Sequence, residues 1–451
     1  MIEEFSILEP QEGKAPISPF QNVINNYIEL ITAQIDTLPL LLNLLASKTI
    51  TNVKAVQKFI KEHDIKEVKN GDSTTFAIPY ELNSKFSKLN FCTHTSFLAT
   101  NLISCNIVVS LVSLYDAYLG NLIKVMYKTC PELLNDSNKN FSLSEILQFE
   151  SIEEAKDRVI EKEVDTILRD NHLAQILWLD TKLKLNIKKE LPVFSDFIEI
   201  TERRNLFVHT NGEVSRQYIK ICKDNHVKGI EKVKIGDHLI ATPQYIFHCY
   251  NTLFEIGVKL GHVIWRKLDK SAIVQADDYL NDICFDLLKR NKYELALVLL
   301  KFATDVLKTY ANQEIKYIFI INKALAYYLI DDKKACVEVL DKEDWSAFAP
   351  KFQLAVAVLH DDYAKATSYM KIIKGSVPKN IYGDWPLFTK FRESDEFKIC
   401  YKELYNEDFS YAEIKEVDLE DILHEALELQ QELKQPKSAT KGAANESEMS
   451  S

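Results

Sequence analysis

Apolar positions recur at helical spacing over most of this chain, which predicts a mainly α fold. The run "QNVINNYIELITAQIDTLPLLLNLLAS" reads as a first helix that Pro39 breaks or kinks, and "VKAVQKFIKEHDI" as a second. The turn-rich piece "EVKNGDSTTFAIPYELN" has room for a short hairpin. A long helix is expected from about Thr95 to Thr129, ended by Pro131. Ser142 with Glu145, and Ser151 with Glu154, have capping-box spacing, in which side chains satisfy the first free N–H groups of a helix. The stretch "PVFSDFIEITERRNLFVHTNG" carries Phe194, Phe197, Ile198, Leu206 and Val208, mostly at helical spacing, and Gly212 closes it. The period then shortens. "VSRQYIKICK" and "KVKIGDHLIAT" alternate in strand fashion about Gly236-Asp237, a short β-hairpin excursion. Thr242 as cap and Pro243 at the first helical position begin the next helix.

From about Leu280 the texture changes. Tyr293 with Ala296, Asp331-Asp332 with Ala335, and Asp361-Asp362 with Ala366 each follow one apolar helix and open another. The alanines lie 39 and 31 residues apart, straddling the tetratricopeptide period of about 34. This predicts an irregular C-terminal α-helical repeat array over 276–410. An acidic amphipathic helix is expected over 411–434, and a small, polar, disordered tail over 435–451.

Composition sharpens this outline. A chain of 451 residues exceeds the comfortable size of one core, and only 11 Gly and 12 Pro suit long helices with few tight turns. The net charge of −11 argues against a general nucleic-acid coat. Residues 181–240, however, hold 12 Lys and Arg against 8 Asp and Glu, a local balance of 12 − 8 = +4. Such a stretch suits a confined anionic ligand. Eight scattered cysteines without a C-x-x-C pair fit a reducing cytoplasm, with neither disulfides nor a zinc site. The start "MIEEFSILEPQEGKAP" lacks the basic, apolar pattern of a secretory signal. Ser96 to Tyr115 is uncharged and long enough to span a bilayer, but its Asn and Ser residues favour a helix buried inside a bundle, with no membrane involved.

The candidate chemistry lies in "RRNLFVHTNG", Arg203 to Gly212. Asn205 and His209 share a helix face, and the long Arg204 stem can swing towards it. Together they offer a planar cation for a phosphate, an amide for orientation and an imidazole that moves protons near neutral pH. Metal-free RNA cleavage needs little else: a base for the 2′-OH, a cation for the phosphoryl oxygens and an acid for the leaving 5′-oxygen. A symmetric dimer would supply two such sets. Phosphate-binding glycine loops and paired metal-ligand spacings are missing, so no cofactor or metal is expected.

At these residues the sequence resembles the HEPN superfamily, whose hallmark is an R-x4–6-H arrangement. Arg204 to His209, R-N-L-F-V-H, fits its common R-N-x-x-x-H version, and the likeness extends through "LYDAYL", "EITERRNLFVHTNGEVSRQYI" and the Pro243 helix. The resemblance implies a HEPN-like helical bundle over 90–268, dimerising through its motif helices, with 1–89 as a helical extension packed on it. It further implies a metal-independent endoribonuclease that leaves 2′,3′-cyclic phosphates, in a prokaryotic toxin or antiviral setting. Arg204 and His209 would be catalytic, with Asn205 as their polar companion. Arg203 and Asp116 would support them or bind substrate, Asp116 as the acidic partner that orients Arg204. RNA, a second copy and a protein bound through 276–410 are the expected partners. The alternative is a non-catalytic adaptor that dimerises through the bundle and binds its partner through the repeats.

Overall fold

A computed structural model of the chain describes residues 16–70, 73–135, 149–185, 191–376 and 378–410. Ser142, residues 411–434 and the tail lie outside them. The described residues are mainly helical. Helix α1 (Pro19–Glu62) and helix α2 (Tyr80–Thr129) form an antiparallel pair joined by a hairpin of β1 (Lys66–Asn70) and β2 (Ser73–Ala77). Pro39 does not break α1, which is continuous through it, so both predicted N-terminal helices are one. An interior proline costs a helix about 3 kcal/mol. Here Ile31, Ile35 and Leu38 bury α1 just before it, which outweighs that cost. Helix α2 begins at Tyr80, well before Thr95.

The rest of the bundle comprises α3 (Ile152–Leu168), α4 (His172–Leu183), α5 (Phe194–Thr210), α6 (Arg216–Asp224) and α7 (Pro243–Leu268). Two predicted caps are in place: Glu154 N donates to Ser151 Oγ at 3.1 Å, and Tyr245 N to Thr242 Oγ1 at 3.2 Å. The predicted β excursion after Gly212 is not a hairpin. Its first half is α6, capped by Ser215, and only an isolated bridge joins Glu213 to His238. The alternation of Tyr218, Lys220 and Cys222 was misleading because Tyr218 and Cys222, four apart, are the pair that is buried. Among the described residues the hairpin lies at 66–77, in the turn-rich piece where the sequence left room for one.

Helix α7 is the buried axis on which α1 and α2 pack, and two glycines allow the approach. A Cβ on Gly257 would overlap the Tyr27 ring, and one on Gly261 would lie 2.5 Å from Tyr118 Oη. Tyr27 and Tyr118 stack at 4.4 Å and donate to the α7 carbonyls of Leu253 and Gly257. Overpacking such a core costs about 1–3 kcal/mol. Gly257→Ala is therefore expected to lower the urea unfolding midpoint; an unchanged midpoint would mean that the three-helix contact is looser than described.

Beyond α7 come three helical hairpins: α8 (Ile273–Lys289) with α9 (Tyr293–Lys301), α10 (Gln313–Leu329) with α11 (Lys333–Leu340), and α12 (Pro350–Leu359) with α13 (Tyr363–Ile373). Short α14 (Ile381–Asp384) and α15 (Asp395–Tyr405) follow. Each hairpin turns through one left-handed residue: Asn291, Asp331 and Asp361, with φ of 58°, 62° and 59°. In each, that residue's N–H bonds the carbonyl three back, and the next N–H the carbonyl five back. The turns fix the register of the array. Five residues after them stand Ala296, Cys336 and Ala366, all fully buried, so Cys336 and not Ala335 is the small packing residue of the second unit. Turn spacings are then 40 and 30 residues. The array shares a continuous apolar core with the bundle, from Phe20 to Tyr401.

The bundle buries only part of the uncharged stretch of α2. From Ser104 onward α2 is largely buried, but between Phe86 and Ser104 it has no buried residue, and neither has α1 between Leu38 and Phe59. These segments project as a two-helix stalk whose tip has a small core of Phe59, Ile65 and Phe86. By length and composition alone, both α1 and α2 could cross a membrane.

Candidate functional site

Helix α5 lies between α2 and α7 because Phe194, Phe197, Ile198 and Ile200 turn one face inward. Its next turns carry the polar residues of interest. Glu199, also buried, accepts from Arg203 Nε at 2.6 Å, Tyr218 Oη at 2.6 Å and Tyr245 Oη at 2.7 Å. The Arg203 guanidinium lies over the Tyr245 ring, 4.0 Å from its centroid. Burial, and then the Glu199 carboxylate, raises both phenols well above their ordinary range, so they stay protonated as donors. A buried carboxylate with three donors is a satisfied tie between α5, α6 and α7. Arg203 is thereby held in this tie, on the supporting side of its expected role.

Arg204, one residue on, points to another side. Its Nη2 donates to Asp116 Oδ2 at 3.1 Å and its Nη1 to Asn205 Oδ1 at 3.2 Å. The other Asp116 oxygen lies 2.8 Å from His172 Nε2, at the first turn of α4. Asp116 thus bridges a buried histidine and the arginine, drawing α2, α4 and α5 together. Arg204 Nε is buried and has no hydrogen-bond partner among the described residues. With its Oδ1 engaged by Arg204, Asn205 keeps its amide N–H groups free to donate.

His209 lies one turn beyond Asn205 in the exposed last turn of α5, beside half-exposed Val208. Its imidazole has no hydrogen bond or ion pair among the described residues. The helix ends in Asn211 (φ 51°) and Gly212 (φ 89°). A Cβ at Gly212 would lie 2.6 Å from the Leu239 carbonyl oxygen, so this sharp exit needs glycine.

Four participants escaped the sequence reading. His172 gave no signal beyond its place after the cap Asn171. Tyr218 lay in the stretch read as a strand, and Tyr245 gave no signal beyond its place three residues after the cap Thr242. Glu199 stands four before Arg203, a legible ion-pair spacing. Nearby Glu202 has its carboxyl raised by burial, with His172 opposing that shift.

Chemically, the arrangement is a cation anchored at one edge by a carboxylate, an amide beside it and an unengaged imidazole one turn away. Comparisons with family models, curated proteins and solved structures find no match for the chain.

Proposed function

We propose that this protein is a metal-independent endoribonuclease of the HEPN type, working in the cytoplasm of a prokaryote as a toxin or antiviral effector. The observation that carries the reading is the pairing of an oriented Arg204 with an unengaged His209 on one helix end. Asp116 fixes the guanidinium so that the remaining N–H groups of Nη1 and Nη2 can meet phosphoryl oxygens. His209 removes the 2′-OH proton; O2′ then attacks phosphorus and the P–O5′ bond breaks, leaving a 2′,3′-cyclic phosphate. A second histidine protonates the departing oxygen, and a symmetric dimer supplies it. On this reading residues 90–268 form the HEPN-like bundle and 276–410 the tetratricopeptide-like array. No cofactor enters the scheme.

A groove in the array supports the reading that a protein partner binds there. This groove, of about 270 Å³, is lined by Phe285, Ile318, Phe352 and Trp385, with Lys289 and Lys351 among its polar groups. It also sustains the second reading, an adaptor whose bundle only dimerises. Purified protein incubated with total RNA in EDTA separates the two. Fragments ending in cyclic phosphate are expected; intact RNA in every condition would favour the adaptor.

A further inference from the structure

The α1–α2 stalk is built with its polarity reversed. Half-buried positions of α1 beyond Leu38 include Leu42, Leu45, Thr49, Asn52 and Val56, the heptad spacing of a coiled-coil seam. The facing seam of α2 passes through Leu89, Thr93, Ser96, Thr100 and Ile103. Its middle is polar: Asn52 Nδ2 donates to Cys92 O at 3.0 Å and to Ser96 Oγ at 3.2 Å.

The outer face of α2 carries a second heptad seam, at Phe91, Thr95, Leu98, Leu102, Cys105 and Val109. This one is more apolar than the seam facing α1. Phe91, Leu98 and Leu102 are each more than half exposed, as is neighbouring Phe97. At its lower end the stripe meets the bundle, where Cys105 and Val109 are half-buried and Asp116 lies on the same face.

Heptad spacing selects another helix as the covering element, and charges flanking such a seam normally choose the partner. From Leu89 to Tyr115 there is no Asp, Glu, Lys or Arg. Nothing there selects a charged partner helix, and nothing repels an identical one in a two-fold contact. Lipid fits poorly. The hydrogen bonds of Asn52 with Ser96 and of Ser110 Oγ with Gln34 Oε1 set the register, which brings exposed Lys48 level with about Leu98. The uncharged part of α1, Thr37 to Ser47, is 11 residues long. That is about 16 Å of helix, half of a hydrocarbon core of about 30 Å.

We propose that the outer seam of α2 is a self-association surface, on which the stalk of one copy packs against the stalk of a second copy of this chain. The inference does not rest on the catalytic reading; where that reading holds, the stalk contact belongs to the same two-fold dimer, because the seam runs into the bundle on the Asp116 face. Four large side chains make a contact at the small end of the range for specific interfaces. The dimer is therefore expected to dissociate on dilution.

Light scattering across micromolar concentrations should show the wild type moving between one and two chain masses. The full-length double variant Leu98→Lys/Leu102→Lys should remain monomeric at concentrations where the wild type is dimeric, with unchanged helical circular dichroism. His209→Ala should keep the wild-type mass curve. If the double variant misfolds, Leu98→Cys in a Cys92→Ser background decides, because mild oxidation should give a covalent dimer. A wild type that stays monomeric, a double variant that dimerises like the wild type, or a folded cysteine variant that fails to cross-link would each overturn the proposal. So would a monomer that floats with phosphatidylglycerol vesicles. RNA left intact by a stalk-paired dimer would count only against the catalytic reading.

Discussion

His209→Ala is expected to abolish RNA cleavage while leaving thermal stability nearly unchanged. The side chain is exposed and has no hydrogen bond or ion pair among the described residues, so its removal opens no cavity. Loss of a general acid–base group typically lowers the rate by about 10²–10⁴-fold. In a dimer with one histidine from each copy, the variant loses both acid and base. Arg204→Lys should also be severely impaired, because an ammonium keeps the charge but loses the planar fork that spans Asp116 and a phosphate. A gel assay of a defined RNA in EDTA, with melting curves on the same preparations, reads both quantities. Should His209→Ala instead melt much earlier than wild type and cut as fast, the histidine is a structural cap and the catalytic assignment fails.

Asp277→Ala should have the largest effect on folding. Asp277 is fully buried at the junction of bundle and repeats, where its Oδ1 accepts from Arg266 Nη2 at 2.5 Å. Its Oδ2 accepts from the backbone N–H of Ala311 at 2.6 Å. Arg266 Nε and Nη1 are buried without hydrogen-bond partners among the described residues, so Asp277 is the main compensation for that charge. Breaking a buried pair by removing one member typically costs about 3–5 kcal/mol. Urea unfolding of wild type and variant measures it. A loss below about 1 kcal/mol would show that water reaches the guanidinium, as at an exposed pair.

The helices were legible wherever one side chain or one period decides the outcome. Thr242 and Ser151 cap as their spacing requires. Gly212 ends α5 because the Leu239 carbonyl leaves no room for a side chain. At Pro39 local propensity pointed to a break or kink, whereas burial of Ile31, Ile35 and Leu38 before it, with half-buried Leu42 after it, keeps the helix continuous. Alternation around Tyr218 imitated a strand over too few residues to expose the helical pairing of Tyr218 with Cys222. In the candidate site, Arg204, Asn205 and His209 could be picked out because they are close in sequence. The division of labour between the two adjacent arginines could not. It depends on Arg203, Tyr218 and Tyr245 converging on Glu199, while Asp116, 88 residues away, takes Arg204. His172 was hidden for the same reason: its partner comes from a helix distant in sequence.

Helix α7 has a mechanical consequence. Its first turn holds Tyr245, which touches Glu199 and Arg203, and its last turn holds Arg266, which is tied to Asp277 of the first repeat hairpin. A 26-residue helix packed along its length behaves as a stiff rod of about 39 Å. Its two ends cannot shift independently. Asp277 at one end of the rod and the Glu199–Arg203 tie at the other are therefore mechanically one piece, although they are about six helical turns apart.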